Sequence, residues 1–378
     1  MTTPTRQVQN SYDCIVIGGA LVGASVAYGL GKAGLKVAVL DGDDSAFRAS
    51  RGNFGLVWVQ NKGAGCPDYA RLSLRASRLW SDYAEELRAI SGVDPAYQRS
   101  GGLTICVTAD ELEFYRSLNA RIEHEVGGPH VPAEFLDGKA LRELMPAAAA
   151  DLPGALYSPV DGICNPLALL RALHEAFRRV GVTYLGHHNV NRVFCRAPGE
   201  FIVETGGSQR CLTAGKVVFA AGLGNTRLVA EVGLEAPLTP LHGQIVVTER
   251  VGPFPCVPNG MLRPTAEGSL LIAHSEANVG FDTRVMAPAA CAMVARCLRA
   301  FPGLRHIRVV RTWAALRVMT PDGLPIYDQS ESCPGAFLVT CHSGVTLAPF
   351  HAGEIAGWIA SGVRPEACRA FTADRFHV

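Results

Sequence analysis

One short stretch near the start of the chain carries residues whose types and spacing suit a definite chemistry. Gly18-Gly19-Ala20-Leu21-Val22-Gly23 fits a GxGxxG frame, with Gly18 and Gly23 in the outer positions and Ala20 in place of the second glycine. In that frame the first glycine makes a tight turn, the second lets backbone approach a pyrophosphate, and the third lets a helix pack closely on a strand. A helix that starts there turns unpaired N–H groups toward the phosphates. Asp41 lies 18 residues beyond Gly23, where a carboxylate can accept hydrogen bonds from a ribose. Both nicotinamide and flavin dinucleotides use such a unit, so the turn alone does not choose between them. The sequence has no nucleophile elbow and no phosphoryl-transfer motif, and its 12 cysteines form no CxxC pair, so no metal site is expected.

The elements needed to hold that turn are readable around it. A solid apolar block, Cys14–Ile17, predicts a strand; the pattern then turns helical over Ala24–Ala33, and a second strand, Lys36–Leu40, ends at Asp41. The 18 uncharged residues from Cys14 to Gly31 include five glycines, which fits strand, turn and helix better than a membrane span. A long amphipathic helix is expected over Tyr69–Ile90 and another over Asp110–Val126. Strands are expected at Gly102–Val107 and Gly243–Glu249. Further on, the pattern predicts helix Pro166–Val180, strand Val182–Leu185, apolar run Val217–Ala221, strand Ala336–Thr340 and helix Val345–Ile359.

This rhythm predicts an α/β fold: a discontinuous Rossmann-like domain from residues 1–90, 150–227 and 318–378. Residues 91–149 and 228–317 would form a second, substrate domain on a mixed, mostly antiparallel sheet. A chain of 378 residues, 48% hydrophobic and 18% charged, is long enough for two cores. Thirty-five Lys and Arg against 34 Asp and Glu give a net charge of +1, so there is no basic field for nucleic acid or anionic lipid. The polar opening MTTPTRQVQN and the scattered cysteines point to a cytoplasmic protein with reduced thiols.

Five segments, in order, resemble the D-amino-acid-oxidase-like family of FAD-dependent amine oxidoreductases. They are the glycine turn with Asp41, ASRGNFGLVW (Ala49–Trp58), VVFAAGLGN (Val217–Asn225), WAALRVMTPDGLPIY (Trp313–Tyr327) and GAFLVTCHSGVTLAP (Gly335–Pro349). Within that family, RGNFGLVWVQNKG and CHSGVTLAP are similar to the flavin subunits of heteromeric opine oxidases, hydrogen cyanide synthase and D-hydroxyproline dehydrogenase. The resemblance departs at Ala20 and at Cys341, which stands where the family often has glycine.

The resemblance implies non-covalent FAD and a small amine substrate bearing a carboxylate. It also implies partner subunits that take electrons through another flavin or an iron–sulfur cluster. The cofactor residues it implies are Gly18, Ala20, Leu21, Val22, Gly23, Asp41 and Gly42 in the first unit, then Ser50, Arg51, Asn53, Gly55 and Leu56. Val190, Ala221, Gly222 and Gly224 follow, and His342, Ser343, Gly344, Val345 and Thr346 close the set. Reduced flavin is negative near N1 and the C2 carbonyl, and N–H groups at a helix start would stabilise that charge. Arg317 matches the family's carboxylate-binding position, where a planar guanidinium fork suits a carboxylate. Arg317 and His342 are therefore the expected catalytic residues, with Arg263, Asn53 and Lys62 as weaker substrate contacts. Gln60 lies in the same segment as Lys62.

Overall fold

The computed structural model describes residues 11–42, 48–206, 211–252, 254 and 256–377. The polar opening, residues 1–10, lies outside them. Two larger sheets and two smaller ones carry the chain.

The largest sheet runs, from one edge, Ile326–Gln329, Ala336–Thr340, Cys211–Phe219, Ser11–Ile17, Val37–Leu40 and Thr183–Leu185. Ser11–Ile17 pairs in parallel with Cys211–Phe219 on one side and Val37–Leu40 on the other. The chain therefore leaves the first strand between two parallel neighbours, where an open α/β sheet forms its ligand crevice. Strands Val190–Ala197 and Glu200–Thr205 extend Cys211–Phe219 as an antiparallel meander. This hairpin is absent from the sequence-based expectation, because its exposed, alternating residues lack the solid apolar run of a parallel strand.

A second, antiparallel sheet is ordered Leu262–Pro264, Ser269–Ile272, Thr239–Arg250, Val309–Met319. Gly102–Cys106, Glu134–Asp137 and Gly154–Ser158 form a three-stranded sheet. Strand Gly154–Ser158 thus pairs with strands from before residue 150. Leu103, Leu136, Leu262, Met293 and Phe301 fill one core under these sheets and helix Ala287–Ala300.

Helix Leu21–Lys32 begins three residues earlier than the periodicity predicts. Its N-cap, Ala20, is extended at φ −78°, a value alanine adopts freely, so a second glycine is not needed for that backbone shape. A Cβ on Gly29 would lie 2.0 Å from the Ala352 carbonyl, so glycine lets this helix sit directly on the C-terminal helix. That C-terminal helix starts at Ala348, not Val345, and runs to Ser361 with a π segment at His351–Ile355. Pro349 has no N–H and fits a first helical turn, so residues 342–347 remain a turn. Helix Pro67–Ser91 has Pro at its start and Gly92 at φ 72° after its end, close to the expected Tyr69–Ile90.

Candidate active site

The first glycine turn is shaped by contacts that exclude side chains. Gly18 has φ 107°, and a Cβ on Gly23 would lie 1.9 Å from the Gly18 carbonyl oxygen. The Gly19 N–H donates to Asp41 Oδ2 (2.7 Å), and Leu21 N–H donates to Ser50 Oγ (3.1 Å). The N–H groups of Ala20, Val22 and Gly23 find no acceptor among the described residues. Asp41, almost fully buried, also accepts from Arg48 (2.5 Å), a partner the sequence did not suggest. Val190 is buried at the start of the meander, and its carbonyl accepts from Arg227 (3.3 Å). Gly42 lies against Asn189, and Gly222 takes φ 59° just after the central strand.

The second turn, His342–Thr346, is pinned beside the first. Trp80 Nε1 donates to the Thr346 carbonyl (3.1 Å), and the Trp58 N–H donates to Thr346 Oγ1 (3.1 Å). A Cβ on Gly344 would come within 3.2 Å of Val22, so the two turns nearly touch. The Gly344 and Val345 N–H groups also lack an acceptor among the described residues. Two sets of unspent donors therefore border one region, which suits an anionic dinucleotide.

From this junction a cavity of about 410 Å³ extends toward the antiparallel sheet. Its walls include Asn53, Leu56, Lys62, Arg317, His342, Ser343, Val345 and Thr346. Trp313, Ala315 and Arg317 alternate along one strand and so share a face. Trp313 Nε1 donates to the Gly52 carbonyl (3.3 Å), joining that strand to the Arg51 turn. Arg317 Nη1 donates to the Ser275 carbonyl (3.1 Å) and approaches Glu276 (3.4 Å), while Nε and Nη2 meet no acceptor among the described residues. A Cβ on Gly243, in the neighbouring strand, would sit 2.8 Å from Arg317 Cζ, so the guanidinium lies across a glycine.

His342 opens onto the cavity, and desolvation by the surrounding protein pushes it down to about 4, with the nearby Lys62 and Arg317 charges adding to that effect. Its imidazole is neutral at pH 7. Burial likewise pulls Lys62 down to about 8 despite the upward pull of Asp161. Cys341, on the cavity wall, is pushed up to about 12 by burial and stays a thiol.

The expected residues do not all converge. Arg263 is buried elsewhere: its Nη1 donates to the Cys164 carbonyl (3.3 Å), its guanidinium lies 5.9 Å from the Phe54 ring centre, and it is not on the cavity wall. It sits on a strand of the same sheet as Arg317, but its side chain is taken up inside the protein. Asn53 Oδ1 accepts the Gly55 N–H (2.7 Å), a local turn that shapes the wall. Gln60 is buried and donates to Asp161 (2.6 Å) rather than facing the cavity. Wall residues that sequence reasoning missed include Trp58, Asn61, His274 and Arg296, the last held from behind by Glu111 (2.7 and 3.0 Å). Asn61 and His274 have φ 64° and 89°, a conformation that no local motif announces. Among the described residues, no three or more His, Cys, Asp or Glu gather to hold a metal, and no helix is long and apolar enough to cross a membrane.

A crevice at the sheet's switch point, lined by two sets of unspent N–H groups and opening on a charged chamber, defines a dinucleotide-dependent oxidoreductase. The chain belongs to the DAO family of FAD-dependent oxidoreductases, whose family model matches residues 13–358, and FAD is its cofactor. It is 42% identical over 366 residues to an opine oxidase subunit of Agrobacterium tumefaciens (strain Ach5), covering 97% of this chain and 98% of that one. The corresponding opine oxidase subunit of Rhizobium meliloti is 40% identical over 365 residues, covering 96% and 97%. The crystal structure of glycine oxidase from Geobacillus kaustophilus superposes with a TM-score of 0.86 at 25% identity, covering 96% of this chain and 98% of that one.

Proposed function

We propose that this chain oxidises a carboxylate-bearing secondary amine, such as an opine or a D-amino or imino acid, as the catalytic subunit of a cytoplasmic heteromeric dehydrogenase. The observation that carries the reading is one chamber bounded by both the His342–Thr346 turn and the partly unspent guanidinium of Arg317. Two relatives at 40% identity or more are named as subunits of opine oxidases, which supports both the substrate class and the partners.

When bound, FAD supplies the acceptor for a hydride and its two electrons. Arg317 would hold the substrate carboxylate through two parallel hydrogen bonds and fix the direction of the reacting C–H bond. Neutral His342 adds no positive charge to the chamber, while the Arg317 cation disfavours a second positive charge on the substrate nitrogen, so the unprotonated amine with its lone pair is favoured. Loss of hydride from carbon and a proton from nitrogen leaves an imine, and addition of water then splits the C–N bond. The hydrophobic wall formed by Leu56, Trp58 and Val345 keeps other water from the reacting atoms.

The test is to purify the chain with its genomic neighbours and screen carboxylate-bearing secondary amines for anaerobic bleaching of the flavin spectrum. Stopped-flow reoxidation then separates the electron routes. Slow reaction with oxygen and fast reaction with an artificial dye are expected. Rapid, stoichiometric peroxide formation by the isolated chain would replace the heteromeric reading with a self-contained oxidase.

A further inference from the structure

Lys62 is the charged residue whose surroundings are least explained by holding the fold together. Its backbone is fixed on both sides: Asn61 has φ 64° and Gly63 φ 94°, and a Cβ on Gly63 would lie 2.5 Å from Ala70. Its ammonium donates to Ser343 Oγ (3.1 Å) and Thr346 Oγ1 (3.4 Å) and stands 6.0 Å from the centre of the Tyr69 ring. Tyr69 in turn hydrogen-bonds Ser343 (2.8 Å), so the hydroxyl under the lysine is itself held.

An ammonium has three donors. Two are spent on hydroxyls, and the third finds no acceptor among the described residues, although Lys62 lies on the cavity wall. A cation withdrawn from water normally needs a hydrogen-bonded anion. Here no carboxylate hydrogen-bonds the ammonium among the described residues, and Asp161, whose charge acts on it, is held by other groups. Asp161 is instead held by the Val59 N–H (2.6 Å) and Gln60 Nε2 (2.6 Å), and Gln60 accepts from Thr104 (2.6 Å). The arrangement keeps a positive charge on the turn that also presents the unspent Gly344 and Val345 N–H groups.

We propose that Lys62 is the fixed cation that compensates the negative charge gained by the flavin ring on two-electron reduction, positioned by Ser343 and Thr346. This rests on the ring lying against the 342–346 turn, as in the function proposed above. It goes beyond that function in assigning to the lysine a cofactor role rather than a substrate one.

The experiment uses the FAD-loaded chain and needs no amine. Sulfite adds to oxidised flavin and leaves negative charge on the ring, so its dissociation constant reports the cation directly. K62M should weaken sulfite binding by at least about tenfold, since a unit charge a few ångströms away in a partly buried site has an effect of that order or larger. The midpoint potential of bound FAD, measured by anaerobic dye equilibration, should fall in parallel. K62R should return both values close to wild type. If K62M yields no FAD-loaded protein, K62Q, neutral but still a donor, is read in the same way. Unchanged sulfite affinity and potential in the neutral variant overturn the proposal. So does a loss that K62R fails to restore. Failure of every amine to bleach the wild-type flavin would count against the proposed function alone.

Discussion

The nucleotide crevice and the far wall of the chamber are built by opposite means. The crevice is made mostly of backbone from two short turns, each contiguous in sequence, and its shape depends on side chains being absent at Gly18 and Gly23. The far wall is made of side chains such as His274, Arg296 and Arg317, drawn from distant segments and aligned by a helix and an antiparallel sheet. Backbone donors at a glycine turn constrain residue type strictly, so they leave a motif. Side chains that converge from several elements tolerate many local sequences, so they leave almost none.

The sharpest way to break this contrast is to add a side chain where the crevice has none. Gly23→Val should abolish stoichiometric FAD binding, because its Cβ would lie 1.9 Å from the Gly18 carbonyl and the turn must move. The visible spectrum of the purified variant checks this, and a fully yellow protein would show that the turn yields. In the wild type, acid precipitation should release the flavin, as expected for non-covalent binding.

On the far wall the effects should be smaller and should spare the cofactor. Arg317→Lys replaces a planar fork with a point donor and should cost roughly 1.5–3 kcal/mol, or about one to two decades in kcat/KM toward the best substrate. An unchanged value would mean that the carboxylate binds elsewhere. Gly243→Ala tests the same arginine from behind: its Cβ would press on the guanidinium, and KM should rise about threefold to tenfold at full flavin content.

A fourth prediction concerns the helix that carries the second turn. His351 is fully buried, its Nε2 lies 2.8 Å from the Tyr327 hydroxyl, and burial pushes it down to about 3. Unfolded, it titrates near about 6.5. As pH falls below that value the unfolded chain binds a proton that the folded chain refuses, so stability present above about 6.5 is progressively lost. His342 acts in the same sense. Asp161, pushed up to about 7 by burial, acts in the opposite one, since the folded state binds its proton first. The difference in melting temperature between pH 6.5 and 5 should therefore be smaller in His351→Gln than in wild type. Parallel curves would remove His351 from the acid response.

The smallest effect is expected at Arg263. Arg263→Met should leave the amine KM within about twofold of wild type, because this guanidinium is engaged away from the cavity. A large rise in KM, with the fold intact by circular dichroism, would bring Arg263 back to the substrate.

The first βαβ unit was legible because strand period, turn glycines and a terminal acid act within about forty residues of chain, and the second turn through the resemblance carried by GAFLVTCHSGVTLAP. The C-terminal helix was legible in type but not in its start, since apolar periodicity does not mark where Pro349 allows the helix to begin. The hairpin from Val190 to Thr205 was not legible, because partly exposed alternating strands resemble ordinary polar chain.

By itself the sequence determined the dinucleotide turn, the α/β class and, through motif order, the flavoprotein family. Each of these is written in local backbone requirements that few residue types satisfy. Tertiary structure alone decided that Arg317 faces the cavity while Arg263 does not, that Gln60 turns to Asp161, and that Lys62 rests on Ser343 and Thr346. Those outcomes depend on which face of a strand is buried and on what lies within a few ångströms from the other end of the chain. That information exists only once distant segments pack together.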